Sequence, residues 1–284
     1  MTEQYNLILG NNIDELKKLP DNSINLTVTS PPYDNLRTYH DSLTWNFDIF
    51  KQIADQLYRV TVNGGVVVWI VGDATIDGSE TGTSFEQALY FKNIGFNIHD
   101  TMIYSKNSSA YPASRDGNRY TQIFEYMFIF SKGKPEHYHL ICDKPNSYAG
   151  QTNWGKKTHY DVTGNLKGTD KIKPIPEVSP RYNIWSYSTG FNDKTDHPAV
   201  FPEKLAQDCI ISWSNEGDVV LDPFMGSGTT GKMALRSNRK FIGMEIVPKY
   251  FKEAEARIIN YQNNGDYREE TINKEKELGR VELF

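Results

Sequence analysis

A short apolar run at residues 219–221 leads into the turn Gly226-Ser227-Gly228-Thr229-Thr230-Gly231, then into a helical pattern from near Thr229 and a strand ending at Glu245. A strand, a glycine turn and a helix in that order form one unit of an α/β sheet, and the rest of the chain repeats the alternation. Residues 5–9 read as a strand, and Asn12 as the cap of a short helix that ends before Pro20. Residues 24–29 are a second strand, running straight into Ser30-Pro31-Pro32-Tyr33. Phe47, Phe50, Ala54, Leu57 and Tyr58 recur at helical spacing, and residues 66–71 are a continuous apolar strand. Ser84 and Gln87 have the form of a capping box for a helix through Phe91. Residues 97–104 and 124–130 read as strands, 202–213 as a helix, and the stretch from Tyr250 as the last helix. The expected fold is α/β: a doubly wound, mostly parallel sheet of about seven strands with helices on both faces.

Between residues 133 and 196 neither the strand nor the helix period holds. Lys144 to Arg181 contain seven basic residues (Lys144, Lys156, Lys157, Lys167, Lys171, Lys173, Arg181) against three acidic ones, with Tyr148, Trp154, Tyr160, Tyr182 and Trp185 interleaved or close by. That local excess of positive charge sits in a chain of 284 residues whose formal net charge is −5. The overall charge argues against a surface that grips nucleic acid everywhere and leaves room for a local basic cleft. Two cysteines, Cys142 and Cys209, are too few for a disulfide framework and read as packed thiols in a reducing, cytoplasmic setting. Residues 1–11 have neither signal nor transit character, no apolar run approaches bilayer length, and a soluble protein is expected. His137, His139 and His159 have no partner at metal-ligand spacing, so no metal is expected.

The glycine turn is chemically ambiguous by itself. Glycines let a backbone approach a ligand, and Glu245, 19 residues after Gly226, stands where a carboxylate accepts hydrogen bonds from ribose hydroxyls. NAD and S-adenosylmethionine both carry an adenosine, and a plain strand-to-helix turn is the third reading. Asp222-Pro223-Phe224, just before the glycines, separates the two cofactors. A carboxylate is out of place beside a pyrophosphate and favourable near the sulfonium and ammonium of S-adenosylmethionine.

Ser30-Pro31-Pro32-Tyr33 closes a strand, so it belongs at the carboxyl edge of the sheet where ligands bind. Two prolines fix the backbone and remove two N–H donors, leaving a rigid bracket of acceptors with one aromatic ring. The Ser30 hydroxyl and the Pro31 carbonyl suit the two hydrogens of an amino group on a base, and Tyr33 suits stacking on a base flipped from a duplex. The plainer reading is a strand-end turn with a core tyrosine.

With these motifs the chain resembles the amino-methylating DNA methyltransferases of bacteria and phages in their permuted β arrangement. In that group the Pro-Pro-Tyr motif comes first, a target-recognition region follows, and the cofactor motif comes last. The resemblance spans residues 10–259 and includes Leu19-Pro20-Asp21-Asn22-Ser23, Phe124-Glu125-Tyr126 and His197-Pro198-Ala199-Val200-Phe201-Pro202. It implies a Rossmann-like methyltransferase fold and S-adenosyl-L-methionine as cofactor. Residues 1–132 would be the catalytic part, 133–196 the recognition lobe, 197–264 the cofactor-binding part of the same domain, and 265–284 a charged helix or tail. Ser30, Pro31, Pro32 and Tyr33 would be catalytic. Phe224, Gly226, Ser227, Gly228 and Thr229 would line the cofactor near Asp222, with Glu245 on its ribose and His197, Ala199 and Phe201 as another wall. Asn11 stands where the family often has Asp against the cofactor's adenine; it is otherwise a turn residue.

Relatives that begin the bracket with Ser usually methylate cytosine N4, and those with Asp or Asn adenine N6, so Ser30 favours cytosine with adenine as the alternative. C5 methylation needs a thiol nucleophile, and neither cysteine stands at a strand-end turn. Lys156, Lys157, Lys171, Lys173 and Arg181 would meet the phosphates of double-stranded DNA, unless the segment is a solvated insertion. Arg115 and Arg119 flank a glycine loop that reads equally as a DNA contact or as surface ion pairs. The resemblance alone suggests a homodimer and a cognate restriction endonuclease as partners. Rival readings are a nicotinamide-dependent oxidoreductase, a methyltransferase for protein glutamine or an RNA base, and a DNA-binding module without catalysis.

Overall fold

The computed structural model describes residues 4–32, 45–106, 119–152, 158–168, 174–187 and 202–265. The chain forms two compact units, Met1–His139 with Ile184–Phe284, and Leu140–Asn183. In chain order the first unit begins with β1 (Tyr5–Leu9), α1 (Asn12–Lys18), β2 (Ile24–Thr29), α2 (Phe47–Val60) and β3 (Thr61–Val71). A small hairpin, β4 (Thr75–Ile76) with β5 (Ser79–Glu80), precedes α3 (Thr83–Asn93), β6 (Asn97–Lys106) and β7 (Phe124–Ser131). The second unit contains two antiparallel pairs, β8 (Lys144–Pro145) with β11 (Val178–Ser179) and β9 (Thr158–Tyr160) with β10 (Leu166–Gly168). The chain then returns to the first unit with β12 (Ile184–Tyr187), α4 (Glu203–Trp213), β13 (Val219–Asp222), α5 (Thr229–Arg236), β14 (Lys240–Glu245) and α6 (Pro248–Asn264).

Eight of these strands form one sheet in the order β1-β14-β13-β2-β3-β7-β6-β12. Every neighbouring pair is parallel except those that β7 makes with β3 and β6. The expected doubly wound sheet is present with one strand more than anticipated. The addition is the edge strand β12, which pairs with β6 from Ile184↔Ile103 to Tyr187↔Lys106 inside a segment without periodicity. Four residues with one buried side chain, Trp185, are too few to show a period. The second compact unit is correspondingly narrower than residues 133–196, because residues just before it also join the first unit. Glu136 N donates to Gly64 O and His139 N to Ser212 O.

Helix α2 shows why these segments fold as they do. Asn46 caps it by accepting from Ile49 N at 2.9 Å, and Phe50, Ile53, Ala54, Leu57 and Val60 fall on its buried face. They pack with α1, α3 and the Val67, Trp69, Val71, Phe128 and Phe130 side of the sheet. Each large apolar side chain there contributes about 1.5–3 kcal/mol on burial. Met127, which alternates with Phe128 across the strand, meets Cys209 of α4 at 3.7 Å, so the second helical group, α4 to α6, covers the opposite face.

Two local expectations give way to longer-range bonds. Asn11, not Asn12, caps α1, because its Oδ1 reaches Ile13 N at 3.0 Å; Asn12 starts the helix and sends Nδ2 to the Pro223 carbonyl at 3.0 Å. Ser84 and Gln87 make no capping box. Ser84 donates from N and Oγ to Asp73 at 2.8 and 2.6 Å, and Gln87 accepts from Trp69 Nε1 at 2.8 Å, while Gly82 takes the cap position. Cys209 is buried as expected, but Cys142 is exposed. No helix among the described residues is long and apolar enough to cross a membrane.

Candidate active site

Strands β14, β13, β2 and β3 run parallel, so Glu245, Asp222, Thr29 and Val71 end along one edge. β13 lies beside β2 in the register Val220↔Leu26 and Leu221↔Thr27. From β2 the chain leaves through α2 to β3; from β13 it leaves through α5 to β14, on the other side and across the other face. The carboxyl ends of β2 and β13 therefore flank a topological switch point, where open α/β sheets form a ligand crevice. Ser30-Pro31-Pro32 emerges from one wall of it and residues 222–229 from the other.

A buried hydrogen bond joins the walls. Thr29 Oγ1 donates to Asp222 Oδ1 at 2.6 Å, and Phe224 N donates to the same oxygen at 3.1 Å. Asp222 is 2% exposed and Thr29 fully buried. Burial pushes the Asp222 carboxyl from 3.8 up to about 6, against the pull of its contacts with Thr29, Thr230 and the Phe224 amide. Asp222 is thus shielded from solvent and bonded both to the end of β2 and to the turn that follows β13. On the bracket, Pro31 is buried, while Ser30 and Pro32 are half-buried.

Three amides in and just before the glycine turn bond within the protein. Met225 N donates to Met244 O, Gly228 N to Met225 O, and Gly226 N to Glu245 Oε2 at 2.9 Å. Those three N–H groups are therefore already engaged within the protein. Glu245 Oε1 accepts from Val247 N at 2.8 Å, so its carboxylate is held by both oxygens and keeps acceptor capacity for hydroxyl groups. Burial raises its pKa, opposed by these amide bonds and reinforced by the charge of Asp222. Gly228 has φ +79°, and a Cβ there would lie 3.0 Å from the Cβ of Ala254 on α6. Its glycine is required by the approach of a helix, not only by a ligand. Phe224 packs edge-on against Trp45 with ring centroids 5.5 Å apart and lies 6.2 Å from Trp69, forming a half-buried aromatic wall. Gly10 N donates to the Glu245 carbonyl at 2.9 Å, which brings neighbouring Asn11 to the end of β14. The donors and acceptors present fit S-adenosylmethionine: a fixed carboxylate for ribose hydroxyls and a buried carboxylate nearby.

Asn11, Ser30, Pro31, Pro32, Asp222, Phe224, Gly226, Ser227, Gly228, Thr229 and Glu245 all belong to strand ends, or the turns following them, at this edge. Tyr33, Arg115, Lys156, Lys157, Lys171, Lys173, His197, Ala199 and Phe201 lie outside the described residues. Arg119 donates to the Gly78 carbonyl and pairs with Glu80 at 3.6 Å, and Arg181 makes an ion pair with Asp143. Both guanidinium groups have intramolecular carboxylate partners. Thr29, Asn12 and Trp45 contact residues 222–224, and the sequence assigns none of them to the site. Nothing local distinguishes a threonine bonded to an aspartate 193 positions away.

The sequence profile of the DNA methylase family N6_N4_Mtase matches residues 24–256. The chain belongs to the N6/N4 DNA methylase family. Among its relatives, the orphan methyltransferase M.BamHII of Bacillus amyloliquefaciens is 52% identical over 86% of this chain and 92% of its own length. The DNA adenine methyltransferase YhdJ of Escherichia coli K12 is 31% identical over 88% of this chain and 81% of its own. TTHA0409 of Thermus thermophilus, solved in complex with S-adenosyl-L-methionine, superposes with a TM-score of 0.60 at 25% identity, covering 89% of this chain and 94% of that one. This methylase is therefore an S-adenosylmethionine-dependent DNA methyltransferase of the amino type, and the oxidoreductase reading of the glycine turn is set aside.

Proposed function

We propose that this methylase modifies the exocyclic amino nitrogen of a base extruded from double-stranded DNA, at a specific site, with N4 of cytosine as the favoured target. The observation that carries the reading is the Thr29–Asp222 bond, which ties the acceptor bracket to the glycine turn across the switch point. S-adenosylmethionine, when bound, supplies a methyl group made electrophilic by its sulfonium. The protein's part is orientation. The Ser30 hydroxyl and the Pro31 carbonyl accept the two amine hydrogens and turn the nitrogen lone pair toward the donor, while Tyr33 stacks on the base. Two prolines keep those acceptors from shifting as the nitrogen attacks. A serine hydroxyl is a poor base, so the amine's proton leaves to solvent after attack. Rate enhancement then comes from holding the two reactants aligned and partly desolvated, without a covalent enzyme intermediate.

Glu245, Phe224, Gly226 to Thr229 and Asn11 form the cofactor side of this site, with His197, Ala199 and Phe201 as a second wall. The compact unit Leu140–Asn183, inside the basic and aromatic segment, serves as the target-recognition region, and the enzyme works in the cytoplasm. The second reading, N6 of adenine, is favoured by the adenine-methylating relative, as Ser30 favours cytosine. Methylation-sensitive sequencing of DNA from cells expressing the chain distinguishes them. N4-methylcytosine in one sequence context is expected. N6-methyladenine selects the second reading, and the absence of both marks overturns the proposal.

A further inference from the structure

The cofactor turn is built on two glycines with positive φ, Gly226 at +52° and Gly228 at +79°, whose amides bond to Glu245 and Met225, while the side chain and carbonyl of the residue between them need a partner of their own. That residue, Ser227, is held from outside by Arg257 of α6. Arg257 Nη1 donates to the Ser227 hydroxyl at 3.2 Å, the Ser227 carbonyl at 3.4 Å and the Thr229 hydroxyl at 3.1 Å. Its Nη2 donates to Glu203 Oε1 at 2.6 Å, and Lys232 Nζ on α5 reaches the same carboxylate at 2.9 and 3.2 Å.

Glu203 is the first residue of α4 and follows Phe201, the end of the second expected cofactor wall, by two positions. One carboxylate and two cations therefore fasten three helices to the turn. The three side chains are largely shielded, Arg257 at 16%, Lys232 at 15% and Glu203 at 25% exposure, where ion pairs are less screened than on the open surface. Burial works to raise the Glu203 carboxyl, but the hydrogen bonds and charges of Lys232 and Arg257 outweigh it and leave it below its ordinary value.

We propose that Arg257, anchored by Glu203, is a positioning residue for the methyl donor: it fixes the Ser227–Thr229 turn so that the S-adenosylmethionine site is formed before the ligand arrives. This rests on the reading that the turn receives the cofactor. A preformed site spares the ligand the cost of ordering the loop, so the loss of Arg257 falls on affinity and not on the chemical step at saturation.

The test compares full-length Arg257→Ala, Arg257→Lys, Glu203→Gln and Glu245→Gln with the parent chain. S-adenosylmethionine is titrated calorimetrically, and methyl transfer to unmodified DNA is followed with each substrate varied. Arg257→Ala is expected to raise the Kd and KM for S-adenosylmethionine about tenfold, with kcat and the KM for DNA within about twofold. Arg257→Lys should recover most of the affinity, because an ammonium can still bond the two hydroxyls. Adding Glu203→Gln to Arg257→Ala should cost little more, since both act through one contact. If Glu245→Gln weakens donor binding and Arg257→Ala does not, Arg257 has no positioning role. If Arg257→Ala loses activity only in proportion to folded protein and the lysine variant fails to restore it, the role is structural and the proposal falls. Should Arg257→Ala not fold, a raised donor KM in Glu203→Gln supports the proposal and an unchanged one overturns it. If neither Glu245 nor Arg257 affects donor binding, the cofactor lies elsewhere and both readings fail.

Discussion

The carboxyl of Asp222 ionises near 6 in the folded chain against an ordinary 3.8, because burial opposes the charge. The folded state holds that proton more tightly than the unfolded one. Its stabilising effect is therefore complete below pH 3.8, declines as pH rises to about 6 and is absent above. A separation of that size amounts to about 3 kcal/mol for one proton. Urea unfolding of Asp222→Asn and the parent should show the difference in stability shifting toward the asparagine variant by that order between about pH 4 and pH 7; parallel pH profiles would refute the burial argument. Donor binding should respond in the opposite sense. The cationic cofactor gains from an ionised Asp222, so affinity should rise through about pH 6 in the parent, and the Asp222→Asn variant should lack that rise. Thr29→Val removes the donor at 2.6 Å from this carboxylate. A hydrogen bond to a charged group is worth about 1.5–3 kcal/mol, so Thr29→Val should lower stability by about that amount at about pH 8, and by much less in an Asp222→Asn background.

At the scale of elements, a chain reveals what is periodic or local and conceals what is decided across the fold. Strands β2, β3, β7 and β14 are legible as short apolar runs largely buried on both faces, and the buried face of α2 by its helical period. The Ser84–Gln87 spacing misleads because Asp73 and Trp69, on the adjoining strand and its exit, compete successfully for those side chains. Asn11 and Asn12 illustrate the same limit, since two adjacent asparagines are equal candidates for a cap until Pro223 claims one of them. The position of the bracket and the glycine turn at strand ends can be read from the chain. The Thr29 brace and the Arg257 network cannot, because each joins residues brought together only by the sheet order. Gly228 matters to the join between α5 and α6. Alanine there must adopt φ +79° with its Cβ 3.0 Å from that of Ala254. The left-handed conformation alone costs about 1–2 kcal/mol, so Gly228→Ala should lower the denaturation midpoint and weaken donor binding together. A variant with unchanged midpoint would mean that the turn and α6 can separate freely.

At the scale of the whole molecule, an acidic enzyme has to bind a polyanion, and its net charge of −5 makes the location of its cations decisive. The bracket and cofactor turn belong to the first compact unit, while all of the basic excess between Lys144 and Arg181 falls within the second. Within that excess, Arg181 is paired with Asp143, so its charge is partly neutralised before DNA arrives. Lys156, Lys157, Lys171 and Lys173 are then the candidates for releasing counterions from the phosphates. Each phosphate contact in duplex DNA contributes about 0.9 to the slope of log K against log salt. Replacing all four lysines with alanine should make that slope shallower by about 3 to 4 and weaken binding to any DNA sequence at moderate salt. The same variant should bind S-adenosylmethionine normally, because the residues proposed to hold the cofactor include none of the four lysines. An unchanged slope would move the phosphate-binding surface elsewhere on the molecule. A loss of donor binding alongside DNA binding would show instead that the recognition segment and the methyl-transfer site are not independent.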